Sequence, residues 1–192
     1  AGIESLQRID KEKNPFIREH NLFSKFVVMY SGNIGFTHNV ESIIEIAEVL
    51  RTDEDIVFLI IGEGLKKNEL MLCVKEKALK NCCFLSWQDS KCLKYSLSAA
   101  DISIITLTDE TALASVPSKT YNLLGIGSPE SELALLVKEY HCGRCFSKND
   151  VSSMADFIKK LKADSELWKV YSNNSLKASL NYTYKNAEQY VS

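Results

Sequence analysis

The sequence predicts an α/β fold built on a doubly wound parallel sheet, and three observations carry that expectation. Short β-branched or aromatic runs alternate with longer stretches of helical period, four times in succession. The runs themselves, Phe26-Val27-Val28-Met29-Tyr30, Ile56 to Ile61 and Ile102 to Ile105, are apolar throughout, as strands covered by helices on both faces must be. Glycine-bearing turns follow the first two, Ser31-Gly32-Asn33-Ile34-Gly35 and Gly62-Glu63-Gly64, where a parallel strand has to turn into its crossover helix.

Taken in order, residues 1–25 read as a linker and short helix, 26–164 as a Rossmann-like domain and 165–192 as a helical tail. The first strand is Phe26 to Ser31. Val40, Ile43, Ile44, Ala47 and Leu50 then recur at i, i+3, i+4, i+7 spacing, with Glu41, Glu45 and Glu48 on the opposite face, so this helix packs on the sheet. A strand from Ile56 to Ile61, an amphipathic stretch from Leu65 to Leu79, a strand from Cys82 to Trp87, a helix from Ser90 to Ala100 and a strand from Ile102 to Leu107 complete four βα units. Pro117 and Ser118 precede a further helical run. Leu133, Leu136, Val137 and Tyr140 form one later helix face, and Met154, Phe157, Ile158 and Leu161 another, before a polar helical tail from Ser165 to Tyr190. One place breaks the pattern: Leu123-Leu124-Gly125-Ile126-Gly127 runs into Ser128-Pro129-Glu130 with no strand between two helices, where a doubly wound fold returns to its sheet.

The 192 residues and 21.6 kDa are the size of one domain, too short for most two-domain enzymes. Lys and Arg number 23 against 25 Asp and Glu, a formal charge of -2 with a pI near 6.0, without the basic excess that phosphate-backbone binding requires; nucleic acid is not expected as a partner. No apolar run approaches the roughly 20 residues of a membrane span. The chain opens Ala1-Gly2-Ile3-Glu4 without an initiator Met or a basic-then-apolar leader, and is expected to be part of a longer cytoplasmic protein. Of the six cysteines, several lie in apolar segments and are read as reduced core residues. The Cys142-Gly143-Arg144-Cys145 motif lacks the second ligand pair that zinc would need, so no metal is expected.

In open α/β sheets ligands bind beyond the carboxyl ends of the strands, which directs attention to three loops. The first, Gly32-Asn33-Ile34-Gly35, lets backbone amides approach a phosphate ahead of a helix N-terminus, or is simply a tight turn. Nearby His38 can contact a phosphate or sugar hydroxyl, or stand in solvent as a helix cap. The second, Gly62-Glu63-Gly64, reads as a turn. In the third, Ser118 can cap a helix while Lys119 brings a cation to its positive end, a placement that suggests an anion between them; a capped surface helix is the alternative. Trp87-Gln88, after the third strand, offers a flat apolar face and an amide suited to a nucleobase, or a half-buried core Trp. No Ser-His-Asp or Cys-His arrangement is visible.

At these loops the sequence resembles the donor-binding, C-terminal half of retaining family-4 glycosyltransferases of the two-domain GT-B type, in the branch that builds bacterial surface polysaccharides. The resemblance rests on six motifs in the family's order: Phe26 to Gly35, Phe58 to Gly64, Phe84 to Gln88, Ala99 to Ile104, Val116 to Leu124 and Pro129 to Ala134. It implies that Gly32, Asn33 and Gly35, with Ser118 and Lys119, lie at the donor diphosphate, and Ser86, Trp87 and Gln88 at the nucleobase. Two glutamates usual in the family, eight positions apart, fall here on Ala114 and Asn122; Asn122 retains hydrogen-bonding capacity toward a ribose, and Ala114 none toward a sugar. The family also carries a strand after Gly127, so a few residues are expected to be missing between Gly127 and Ser128. The implied activity is metal-independent transfer from a nucleotide sugar, most simply a UDP-sugar, to a glycan or lipid-linked acceptor held by an absent N-terminal domain. That absent half would be the route to the inner face of the membrane, and this part alone is expected to bind without transferring. Two other readings share these residues: a sugar-nucleotide epimerase of the same architecture, and a non-catalytic α/β binding module.

Overall fold

The computed structural model describes residues 8–106 and 122–191. A short 3-10 turn, Lys11–Lys13, leads into α1 (Pro15–Glu19), followed by β1 (Phe26–Ser31), α2 (Glu41–Val49), β2 (Ile56–Ile61), α3 (Lys67–Glu76), β3 (Cys82–Leu85), α4 (Ser90–Ala99) and β4 (Ile102–Thr106). Then come β5 (Leu123–Ile126), α5 (Glu132–Tyr140), β6 (Gly143–Phe146), α6 (Val151–Ala163) and α7 (Ser165–Val191). The six strands form one sheet in the order β3-β2-β1-β4-β5-β6, every neighbouring pair parallel. This is the Rossmann-like arrangement expected from the alternating runs, with the strand order reversing direction between β1 and β4.

Both faces are covered. On one, Val28, Tyr30, Phe58 and Ile60 pack with Ile43, Ala47 and Ile158 from α2 and α6; on the other, Val27, Met29, Leu59 and Ile61 meet Phe16 and Ile17 of α1 and Ala99 of α4. Alternation along each strand therefore feeds two apolar layers, which is why β1 and β2 show no polar face. A smaller cluster of Ile105, Leu123, Val137 and Cys142 closes the far end.

The break noticed in the sequence has a different resolution from the one expected. Leu123, Leu124 and Ile126 are themselves a strand, buried and paired in register with Ser103–Thr106, so the chain returns to the sheet just before Gly127. A four-residue apolar run carries no period of its own, and burial on both faces decides in favour of strand. The CxxC segment is the second unexpected strand: β6 runs through Gly143-Arg144-Cys145-Phe146, and a methyl group at Gly143 would overlap the Leu123 carbonyl, so only glycine lets these strands pair.

At the amino-terminal edge of the sheet a single carboxylate gathers the chain. Asp101 is buried; its Oδ1 accepts from Arg8 Nη2 at 2.8 Å, and its Oδ2 from Lys11 Nζ at 3.1 Å and from the Val27 amide at 2.8 Å. Its backbone carbonyl accepts from Asn122 Nδ2 and Trp168 Nε1, both at 3.0 Å, and the Arg8 guanidinium stacks over the Trp168 ring. One residue so joins the amino-terminal segment, β1, β4, the entry to β5 and α7.

All six cysteines are free. Burial pushes the Cys82 thiol up to about 12, and those of Cys142 and Cys145 to about 11, whereas Cys92 lies exposed on α4.

Replacing Asp101 by Ala should cost about 3 kcal/mol, because it strands two partly buried cations and the Val27 amide; the urea midpoint measures it. Alkylation at pH 8, followed by peptide mass mapping, should label Cys92 first and leave Cys82, Cys142 and Cys145 as slow sites, since a raised thiol pKa lowers the thiolate fraction.

Candidate functional site

Three loops leave the carboxyl ends of β1, β2 and β3 side by side and are sewn together through their backbones. The Gly32 amide donates to Ile61 O at 3.0 Å, the Ile34 amide to Glu63 O at 2.9 Å, the Lys66 amide to Ile34 O at 3.0 Å and the Gly62 amide to Leu85 O at 3.0 Å. The second glycine pair, which reads as a mere turn, is what permits this. A methyl group at Gly62 would overlap the Gly32 carbonyl, one at Gly64 the Ile34 carbonyl, and Gly62 holds φ +150°. Beside them Lys66 pairs with Glu41 at the start of α2, and Lys67 Nζ meets Glu63 Oε1 at 2.8 Å. Lys67 first, and then Ser86, hold the Glu63 carboxyl below its ordinary value.

Beneath the first loop lies Tyr30, which the sequence reading passed over as a strand residue. Its hydroxyl donates to Asn33 O at 2.7 Å, and a methyl group at Gly32 would come within 2.8 Å of it. Burial raises the phenol to about 12, partly offset by a hydrogen bond with Thr106 at the end of β4, so Tyr30 stays protonated at neutral pH and spans the point where strand order reverses. The only sequence signal for this role was a tyrosine ending an aliphatic strand.

The stitching uses the Gly32 and Ile34 amides inward. The intervening Asn33 and Gly35 amides have no hydrogen-bond partner among the described residues, and the Asn33 side chain is exposed. His38 stands partly exposed at the end of this loop, its Nδ1 3.1 Å from Thr37 Oγ1 and close to Gly35. Ser86, Trp87 and Gln88 lie on the neighbouring β3 loop; Trp87 is 54% exposed, its ring edge facing Gly62, and Gln88 Nε2 folds back onto Ser86 O. Trp87, Phe36 at 69% and Leu65 at 84% give this rim three of the most exposed large apolar side chains among the described residues.

Of the remaining predicted residues, Ser118 and Lys119, like Ala114, fall in 107–121, outside the described residues. Asn122 requires a correction. It precedes β5 at the opposite edge of the sheet, fully buried, with its amide given to Asp101 O, and a residue so placed does not reach a ribose beyond the carboxyl ends. It enters the strand at φ +34°, a conformation that asparagine tolerates better than most residues. Among the described residues no three His, Cys, Asp or Glu side chains stand together as metal ligands, and no helix is long and apolar enough to cross a membrane.

A loop cluster of this kind on a Rossmann-like sheet has many uses, and comparison with known proteins narrows them. Residues 10–178 match the family model described as glycosyl transferases group 1. The chain belongs to that family. Among group 1 relatives, 104 residues are 35% identical to WcaI of Escherichia coli (strain K12), whose name assigns it to colanic acid biosynthesis as a glycosyl transferase. The match takes in 54% of this chain and a quarter of WcaI, 25% of its length. In fold, the chain superposes on the C-terminal domain of the group 1 protein LpcC from Francisella tularensis with a TM-score of 0.72 at 17% identity, covering 94% of this chain and 97% of that one. Anabaena Alr3699/HepE, solved in complex with UDP and glucose, superposes with a TM-score of 0.77 at 13% identity over 100% of this chain and 55% of its own. The group 1 fold is therefore the GT-B glycosyltransferase domain that the six motifs implied.

Tyr30→Phe should speed amide hydrogen exchange across Gly32 to His38 while lowering global stability by only about 1 kcal/mol, the value of one hydrogen bond. Exchange mapped by mass spectrometry alongside a denaturation curve separates the two effects.

Proposed function

We propose that this domain binds the diphosphate of a nucleotide sugar, most simply a UDP-sugar, and serves as the donor-holding half of a retaining glycosyltransferase. The observation that carries the proposal is the pair of amides, Asn33 and Gly35, that have no partner among the described residues and are held on a rigid rim where the strand order reverses. Ligands of doubly wound sheets bind at that reversal, beyond the carboxyl ends. The reading also assigns Ser118 and Lys119, which lie outside the described residues, to the same anion, a cation complementing what the amides offer. Exposed Trp87 and the Gln88 amide supply a stacking face and a polar edge for the base, and His38 lies within the same loop for a phosphate or sugar hydroxyl.

Such a site stabilises the charge developing on a departing diphosphate with amide dipoles and one ammonium, and the reading includes no metal and no separate cofactor. Electrostatic stabilisation of this kind acts on the leaving group alone; it leaves the glycan or lipid-linked acceptor to a second half of the protein, which also provides any contact with the inner face of a membrane. The matched residues make up 25% of WcaI and 40% of the Pseudomonas aeruginosa relative WbjE, which leaves most of each relative outside the match. With Ala114 where the family usually has a glutamate, the donor sugar is held less tightly than its nucleotide.

Calorimetric titration with UDP, UDP-N-acetylglucosamine, GDP and ADP tests the reading. A uridine nucleotide should saturate the domain, and Lys119→Ala should weaken it by about tenfold, the worth of a charge-assisted contact. Failure of every nucleotide to bind would overturn the donor-domain proposal in favour of a non-catalytic module.

A further inference from the structure

At the far side of the sheet, two strands beyond β4, the edge strand β6 borders a second hollow that the donor site does not use. It has a volume of 440 Å³ and lies between α5, β6 and α7. Ala134 and Val137, both buried, contribute its apolar lining, and Tyr171 of α7 forms one side. Lys138, His141 and Arg144 also line it, and among the described residues no carboxylate does. Neither the Lys138 nor the Arg144 side chain has an ion-pair or hydrogen-bond partner among the described residues.

The walls are built rather than incidental. His141 ends α5 in the left-handed conformation, φ +49°. Its carbonyl accepts from Asn174 Nδ2 at 3.0 Å, and the next carbonyl, Cys142, accepts from Ser175 Oγ at 3.1 Å, which fixes α7 alongside β6. Arg144 lies over the Phe146 ring, 5.4 Å from its centroid, so its guanidinium is held at this edge by packing. The carboxyl end of a helix explains the presence of Lys138 and an imidazole, because its dipole favours cations there. It does not account for Arg144, which a different element, β6, brings to the same open hollow.

We propose that this hollow is an anion site for a phosphate group borne by a partly apolar molecule. The phosphate would sit among Lys138, His141 and Arg144, with its apolar portion against Ala134 and Val137. A guanidinium and an ammonium together match the geometry and charge of a phosphate, and a tyrosine wall suits an amphipathic ligand. The same chemistry is presented by an acidic lipid headgroup and by a soluble phosphate ester. Its location, separated from the β1 loop by β4 and β5, makes occupancy independent of the nucleotide site.

The test is amide NMR of the isotopically labelled chain titrated with inorganic phosphate, in parallel with sedimentation on vesicles of phosphatidylglycerol or of phosphatidylcholine. Saturable shifts confined to residues 138 to 145 are expected, weakened at least about fivefold in the K138Q/R144Q double variant and unchanged in K75Q/K80Q, which removes the same charge from the opposite edge. Circular dichroism of both variants, expected to match the parent, guards against unfolding. Sedimentation with phosphatidylglycerol alone, lost in K138Q/R144Q, would mark the ligand as a lipid headgroup; phosphate shifts without sedimentation would mark a soluble ester. Absence of both, or equal weakening in the two double variants, would overturn the site and reduce it to surface charge. Neither result depends on whether UDP binds, so the two proposals fail separately.

Discussion

The adjacency of β1 and β4 is the constraint on which the rest of the molecule depends, and Asp101 enforces it. Strand order reverses at that pair, and in doubly wound sheets the reversal is where ligands bind, beyond the carboxyl ends of the strands. Below it, the Asp101 amide donates to Val27 O at 2.8 Å while its carboxylate accepts from the Val27 amide, continuing the β1–β4 ladder past the last paired residues. A buried carboxylate is costly unless fully partnered, and here Arg8, Lys11 and a backbone amide supply that partnership. The same residue's carbonyl recruits Asn122 and Trp168, so the cleft at one edge is positioned by polar bonds at the other.

The upper edge achieves its order differently. There the loops hold one another through carbonyl-to-amide bonds that require glycine at Gly62 and Gly64, with Tyr30 bracing the first loop from beneath. Because these bonds consume alternate amides, the loop offers outward only those left over. A rim made this way is preorganised, and a ligand that meets it loses little to loop ordering.

How much of this could be read in the residues follows from where periodicity exists. The strands Phe26–Ser31 and Ile56–Ile61 and the helix around Ile43 and Ala47 were legible because a six-residue apolar run or a 3.6-residue repeat has few alternatives. β5 and β6 were not, since four residues with a glycine among them resemble loop or helix equally until neighbours bury them. The same limit applies to the site. Gly32, Asn33, Gly35 and Trp87 were singled out from their position after strands, and the structure brings their loops together; Asn122 was assigned to a ribose by aligning the family's motif on Gly127, whereas the structure places it at the entry to a strand on the opposite edge. The mutual packing of the two glycine loops had no signature at all, being contacts between segments about thirty residues apart, and Tyr30 left only the mark of a tyrosine ending an aliphatic strand.

The two outermost strands, β3 and β6, each have four residues, against six in β1 and β2. An exposed strand is a template for another chain, and its hazard grows with the number of unpaired backbone groups it presents in a row. Lys75 and Lys80 border the hollow beside β3, and Arg144 lies within β6, so any approaching strand meets charge as well as a short docking length. The edges thus carry their own protection against fibrous association, leaving the fold free to display exposed aromatic and aliphatic groups on its rim.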